Sequence, residues 1–586
     1  MKWDLTYLFN EHKDFENSLN ELNSFIPKLA SYKGKLHNEK DFVEYLNLND
    51  EFENKLLRVY QYAHLKSDLN KKDVASASDL QKVHILLHTA SQLLSFESPE
   101  LLSIGKDTLM TFIDNNPSLE QHRFGLEKLF HMNEHVLDAE KEGLLSYYST
   151  VGSIPGELYS ALAVSDNVAK EVKLSSGKKI KVTQGNWRSL IAELKSPSDR
   201  KKVFKAIFSY YDENKNTFAK AYELSLKLDL ANVKTRNYNS ILESYLFRNN
   251  IPTEVYETLV DVASKNNKSL KKYFKLRKKI LNLKNHYSYD RFIELAHSDK
   301  KYSYEEGKEL FFNSIAHLPT HFVEKAKEVL SVGFVDVYEC EGKRSGAYSS
   351  GQADLHPFIL LNYSNTLVDV FTLAHEAGHS IHTMYAQEGQ PARLQGYTIF
   401  VAEIASTFNE HMLLDYLMKS TTLTDEEKMI LLQKQIDEIV ATFYRQALFA
   451  HYELEVSRLI ENNQPLNHEV LSSIMVKLYK DYYDMDIEKE EVKKYVWAYI
   501  PHLFYTPFYV YQYATSFAAS FALYENVKRD GLPAFENYVN LLRSGGSKYP
   551  IIQTKEAGID LTKKETFMSV VHRLDELVEQ LEKLTK

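Results

Sequence analysis

Apolar positions recur every three to four residues over most of this chain, the spacing of helices with one buried face. The pattern predicts helical hairpins from the N-terminus to about residue 115, as in 41–69 and 74–95, joined by short polar turns. Residues 172–182 alternate around Ser176-Gly177 and predict a β-hairpin. Helices resume near Trp187 and run through 224–235 and 253–283. The texture then changes. Residues 335–338 and 357–361 read as short strands, with Gly342, Gly346 and Gly351 between them. A glycine-bearing loop there either lets a substrate backbone approach closely or is an ordinary turn. Lys343 and Arg344 in that loop read as solvated charges.

From Thr366 the stripe Leu367, Val370, Leu373, Ala374, Ala377, Ile381 predicts a helix, which Glu388-Gly-Gln-Pro391 ends. A second helix is predicted over 399–414. The apolar run 356–362 leads into the first as a strand, whose open edge an extended peptide can join through main-chain hydrogen bonds.

Composition narrows the class. Twenty Gly and 14 Pro are about half the usual combined share of ~12%, too few turn formers for an all-β protein. The expected fold class is mainly α: two helical lobes enclosing a deep cleft, with a small β element beside the first helix above. Expected boundaries are 1–115 for an N-terminal helical region, 116–186 for a helical and hairpin region, and 187–586 for a catalytic domain. Lys and Arg number 71 against 80 Asp and Glu, a mild acidity that argues against a nucleic-acid or membrane-surface binder. The single Cys340 cannot form an internal disulfide and reads as an inert small residue. No signal-peptide pattern opens the chain. Residues 495–524 lack any formal charge but hold seven Tyr, two Pro, His502 and Gln512, so they suit buried helices beside a polar cavity better than a membrane. A cytoplasmic protein is expected; the oligomeric state is not legible.

Chemistry concentrates in the predicted helix, where His375-Glu-Ala-Gly-His379 places two imidazoles four residues apart on one face. Two such rings can bind one zinc ion, and Glu376 beside them stands where a metallopeptidase keeps its general base. Chance alone writes this motif into roughly one such chain in twenty, so context decides. A third ligand is required. The metzincin continuation is absent, because position 382 is His and 385 is Tyr. Glu403, early in the second helix among Val401, Ala402, Ile404 and Ala405, is an acid that is costly to bury unless paired or bound to a metal. Glu410, seven residues on, either orients a ligand or is an exposed helix acid. His382, one turn beyond His379, supports the site, contacts substrate, or is a packed residue with its polar atoms satisfied, the reading preferred here.

The segments 375–382 (His-Glu-Ala-Gly-His-Ser-Ile-His) and 400–406 (Phe-Val-Ala-Glu-Ile-Ala-Ser) together resemble the oligoendopeptidase F branch of the thimet oligopeptidase family. Arg236-Asn-Tyr-Asn-Ser, Arg248-Asn-Asn-Ile-Pro, the stretch 342–348 and the stretch 501–509 agree, and the resemblance runs from about Phe124 to the C-terminus. It implies one zinc ion held by His375, His379 and Glu403, with Glu376 as catalytic base, and favours the substrate-contact reading of the glycine loop.

The run His502-Leu-Phe-Tyr505-Thr-Pro-Phe-Tyr509-Val-Tyr511-Gln-Tyr513 is a second constellation. Aromatic runs are more often core than catalyst. Here hydroxyls and a ring N–H, neutral near pH 7, suit donors to a tetrahedral oxyanion. The resemblance implies His502, Tyr505 and Tyr509 in that role, with Tyr511 and Tyr513 as substitutes because the spacing differs from the thimet branch. The function expected is a zinc endopeptidase for short oligopeptides. Its rivals are a zinc exopeptidase of carboxy- or dipeptidyl type and a non-catalytic, metal-stabilised helical peptide-binding protein.

Overall fold

The apolar stripes become helices with defined ends. Thr366 opens the helix Leu367–Gly389 with a capping box: its hydroxyl accepts from the Asp369 N–H, and the Asp369 carboxylate accepts from the Thr366 N–H at 2.8 Å. Val370, Leu373, Ala374, Ala377 and Ile381 are all buried. The helix stops at Gly389, short of Pro391, and Ile399–Met418 follows as the second helix. The computed structural model describes residues 2–147, 149–351, 353–420 and 423–586. Its fold is mainly α, as the periodicity requires.

The chain forms two compact units, each visited three times. The first comprises Met1–Glu134, Asp299–Ser420 and Leu523–Ile559; the second comprises His135–Ser298, Thr421–Ala522 and Asp560–Lys586. In the second unit β1 (Lys170–Lys173) and β2 (Lys179–Val182) form the expected antiparallel hairpin. The periodic stretch 253–283 is two helices, Thr253–Lys265 and Lys268–Ile280, rather than one. Asn266 and Asn267 separate them: each side-chain amide donates back to a carbonyl of the first helix, Val262 at 3.0 Å and Ser264 at 2.6 Å, which competes with helix continuation.

The first unit contains a three-stranded sheet of β3 (Val335–Asp336), β4 (Tyr348–Ser350) and β5 (Phe358–Leu360), in the order β3-β5-β4. This corrects one expectation. The strand leading into the HExxH helix is β5, and it has no open edge: β3 pairs with it in parallel and β4 antiparallel. A continuous apolar run is what a strand buried on both faces requires, and Phe358, Ile359 and Leu360 are fully buried.

The N-terminal helices hold this sheet. On Glu39–Leu69, Gln61 donates to the Ser350 carbonyl at 2.9 Å, and buried Asp68 accepts from the Tyr348 hydroxyl at 2.8 Å and from Arg344 at 2.9 Å. Trp3 donates its indole N–H to the Ile359 carbonyl at 2.8 Å. Lys343 and Arg344 are therefore not free solvated charges. The Lys343 side chain is fully covered, with its ammonium 2.5 Å from Asp336 and bonded to the Asp336 and Tyr338 carbonyls. The loop glycines differ too. Gly342 is wedged against Asn70 and Gly351 against Pro357, while Gly346 borders open space. No helix among the described residues is long and apolar enough to cross a membrane.

Candidate active site

Gly378 sets the distance between the two helices that carry the motif. A Cβ built there meets the Ala405 carbonyl oxygen at 2.5 Å and the Ser406 Cα at 2.6 Å. Only a residue without a side chain allows so close an approach of backbones. Asn409 reinforces the crossing by donating to the Ala374 carbonyl at 3.1 Å.

That approach brings three side chains together. His375 Nε2 lies 3.2 Å from His379 Nε2 and 3.3 Å from Glu403 Oε2, and His379 Nε2 lies 3.6 Å from the same oxygen. Donors bound tetrahedrally at ~2.0–2.1 Å from one zinc ion stand about 3.3–3.4 Å apart, so the three converge at the spacing zinc needs. This is the only such group of three or more metal-capable side chains among the described residues. All three are partly exposed and can be reached.

Each donor is aimed by a neighbour. His375 Nδ1 is 2.7 Å from Glu410 Oε1, which turns its Nε2 toward the convergence point. Glu410 is thus a buried partner of His375, not an exposed helix acid. The Ala402 backbone accepts from His379. The Ser406 hydroxyl is 3.0 Å from Glu403 Oε2.

The electrostatics show a site arranged for positive charge. Burial opposes charge on His375, but Glu403 and Glu410 overcome it and hold its pKa well above the ordinary range. Burial and the charge on His375 push His379 down to about 4. Burial also opposes charge on Glu403, but the His375 hydrogen bond and the two imidazoles bring it down to about 2. Two nitrogens and a carboxylate thus converge on a point that favours a cation.

Glu376 is 6% exposed, and its Oε2 has no hydrogen-bond partner among the described residues. Burial raises its pKa to about 7; His375 opposes the rise, Glu403 and Glu410 add to it, and the Ser349 backbone N–H favours the charged form. Ser349 lies on β4, and its hydroxyl meets that of Ser380 on the HExxH helix at 2.8 Å. The outer strand of the sheet therefore runs beside Glu376.

His382 is fully buried and stacked on Tyr397, with ring centroids 3.6 Å apart. Neither ring nitrogen has a hydrogen-bond partner among the described residues, contrary to the satisfied packing expected from sequence, and burial pushes its pKa down to about 3.

In the second unit the structure sorts the late aromatics. His502 lies parallel to Tyr509, with centroids 6.0 Å apart, and edge-on to Tyr513 at 6.3 Å. Tyr505 is half exposed and packs on Tyr159. Tyr511 is buried against Tyr256. Burial pushes the His502 pKa down, so its ring is neutral near pH 7. The turn between His502 and Tyr509 carries Phe508 at φ 54°, a strained conformation for a bulky residue. Buried Glu453 accepts from the Phe508 N–H at 2.6 Å and holds the turn there.

Sequence reasoning missed Ser349, Ser380, Ser406, Asn409 and Glu453. Serines and asparagines are too common to stand out, but Glu453, between Tyr452 and Leu454 on a helix, carries the same signal that singled out Glu403.

Comparisons with known proteins identify the family. Peptidase family M3 matches residues 190–572, and the family described as Oligopeptidase F matches residues 100–167. Oligopeptidase PepF of Bacillus subtilis is 34% identical, over 99% of this chain and 87% of that one. The crystal structure of oligoendopeptidase-F from Enterococcus faecium has a TM-score of 0.74 at 27% identity, covering 98% of this chain and 99% of that one. A Chlamydophila abortus structure reaches 0.91 at 32% identity, covering 100% and 98%. With a family match over well over half its length and relatives aligned nearly end to end, the chain belongs to peptidase family M3, as a metallo-oligopeptidase of the oligoendopeptidase F kind.

Proposed function

We propose that this protein is a zinc-dependent endopeptidase that hydrolyses internal bonds of short oligopeptides. The observation that carries the reading is the convergence of His375 Nε2, His379 Nε2 and Glu403 Oε2 beside the unpartnered Glu376 Oε2. These residues fit zinc by donor type and spacing, and would hold it. When bound, zinc supplies a Lewis acid for the scissile carbonyl and the attacking water. Glu376 takes the proton of that water and delivers it to the leaving amine, work suited to a carboxyl whose pKa lies near 7. Glu410 keeps the His375 ring oriented. The substrate backbone extends along β4, the outer strand beside Glu376. The family resemblance assigns the oxyanion to His502, Tyr505 and Tyr509, with Tyr511 and Tyr513 as substitutes; of these, Tyr509 lies parallel to His502.

A ligand set alone would serve a binding protein; the buried free carboxylate of Glu376 is what favours turnover. The endopeptidase reading leans on the names of the relatives, Enterococcus oligoendopeptidase-F among them. A decapeptide acetylated at one end and amidated at the other separates it from an exopeptidase. The zinc-loaded enzyme should cut it internally, as read by mass spectrometry. A chelator should abolish cleavage, and added zinc should restore it. Cleavage only of unblocked peptides, one or two residues from an end, would establish the exopeptidase reading instead.

A further inference from the structure

The second unit contains a cluster of positive charge that the peptidase chemistry leaves unused. Arg188, Arg291, Arg445 and Lys493 line one cavity of about 30 Å³, walled by Phe204, Phe208 and other rings. One buried water needs only ~10–15 Å³, so a group of several atoms fits. Arg188 is exposed, and one of its nitrogens is 3.2 Å from the Tyr499 hydroxyl. The other three are inward and half to fully buried. Their side chains make no hydrogen bond or ion pair among the described residues.

Aromatic faces offset part of this charge. Lys493 Nζ lies 5.0 Å from the Phe208 centroid and 5.4 Å from that of Tyr479, while Arg291 lies over Phe292 and Arg445 over Phe449. Rings stabilise cations but do not accept the N–H groups of a guanidinium as an oxygen does. Glu490 and Asp437 offset part of the charge on Lys493 and Arg291 through space, but their oxygens take hydrogen bonds from other groups. Glu490 accepts from the Ser288 N–H at 2.7 Å and its hydroxyl at 2.5 Å; Asp437 accepts from the Tyr273 hydroxyl at 2.8 Å and from Gln433 at 3.1 Å. Burial and the charge of Arg445 lower the pKa of both Lys493 and Arg291. Like charges gathered in a low-dielectric cavity cost stability unless an opposite charge joins them.

We propose that this cavity is a binding site for a small oxyanion, a phosphate or carboxylate group held between Arg291, Arg445 and Lys493. Guanidinium and ammonium groups are the donors that recognise such oxygens. Two sources share this chemistry: a free anion such as inorganic phosphate, and the C-terminal carboxylate of a peptide. Binding of free phosphate does not depend on the zinc reading, whereas the peptide-terminus source rests on the proposed peptidase activity.

Calorimetric titration of the full-length protein with inorganic phosphate, at ionic strength fixed with chloride, tests the first source. Saturable binding to one site is expected, weakened roughly tenfold or more in Lys493→Met and in Arg291→Met. Without phosphate, both variants should melt close to wild type, because each relieves like-charge repulsion from Arg445. The second source is tested by hydrolysis of one peptide as free acid and as C-terminal amide. A higher KM for the amide that vanishes in Lys493→Met would assign the site to the peptide terminus. Absence of both phosphate binding and a Lys493-dependent acid preference would overturn the proposal. So would variants that melt many degrees lower, which would make these cations structural partners instead.

Discussion

Replacing Glu376 by glutamine should lower kcat by roughly 10²–10⁴-fold or more while zinc stays bound. Glutamine keeps the shape of the side chain, which matters where the residue is only 6% exposed. It removes the one property the mechanism needs, an oxygen that accepts a proton from water. Glu376 lies outside the convergent donor set of His375, His379 and Glu403, so metal content should not change. Turnover of a quenched-fluorescence peptide, with zinc measured by plasma emission on the same sample, checks both halves. A Glu376→Gln enzyme with wild-type kcat would remove the base from the account.

Gly378→Ala should be nearly as damaging by a different route. Its new methyl would stand 2.5 Å from a backbone carbonyl oxygen and 2.6 Å from a backbone carbon. A flexible side chain could move aside; helix backbone cannot without shifting the whole of Ile399–Met418. Overpacking of this kind typically costs about 1–3 kcal/mol. It should also draw Glu403 away from the imidazoles, so zinc affinity falls along with Tm. Gly125, on the exposed face of Arg123–Asn133, has nothing within 4 Å of its built Cβ. Gly125→Ala should leave Tm unchanged or raise it, since alanine favours helix by ~0.8–1.0 kcal/mol over glycine. Equal melting of the two variants and equal zinc binding would show that the helix crossing tolerates a side chain.

The contrast between these two glycines shows what the sequence can and cannot say. Both sit in helical patterns, and nothing local distinguishes them; only the second helix, twenty-seven residues on, makes Gly378 obligatory. The donor set was legible because its elements are local: a four-residue spacing on one helix, and an acid in an apolar stretch on the next. The mainly α class was legible for the same reason, as was the hairpin around Ser176-Gly177. Strand order was not. The run at Phe358–Leu360 reads as a strand from its own residues, but its central place in the sheet depends on Val335, Tyr348 and, through Gln61 and Trp3, on residues about 290 and 360 positions away. The burial of Lys343 likewise depends on Asp336 curling under it. The late aromatics stand between these cases. Their polarity marked the segment, but which hydroxyl accompanies His502 is set by the strained turn at Phe508 and its hold on Glu453, and neither has a local pattern.

The central claim is that Glu403 completes a zinc site with His375 and His379. Metal content of full-length Glu403→Ala beside wild type, each equilibrated against the same limiting free zinc, tests it most directly. One zinc per wild-type chain is expected and close to none in the variant, whose zinc-free circular dichroism should match that of wild type. Equal zinc in both would mean that the carboxylate is not a ligand, and the site as described here would be wrong.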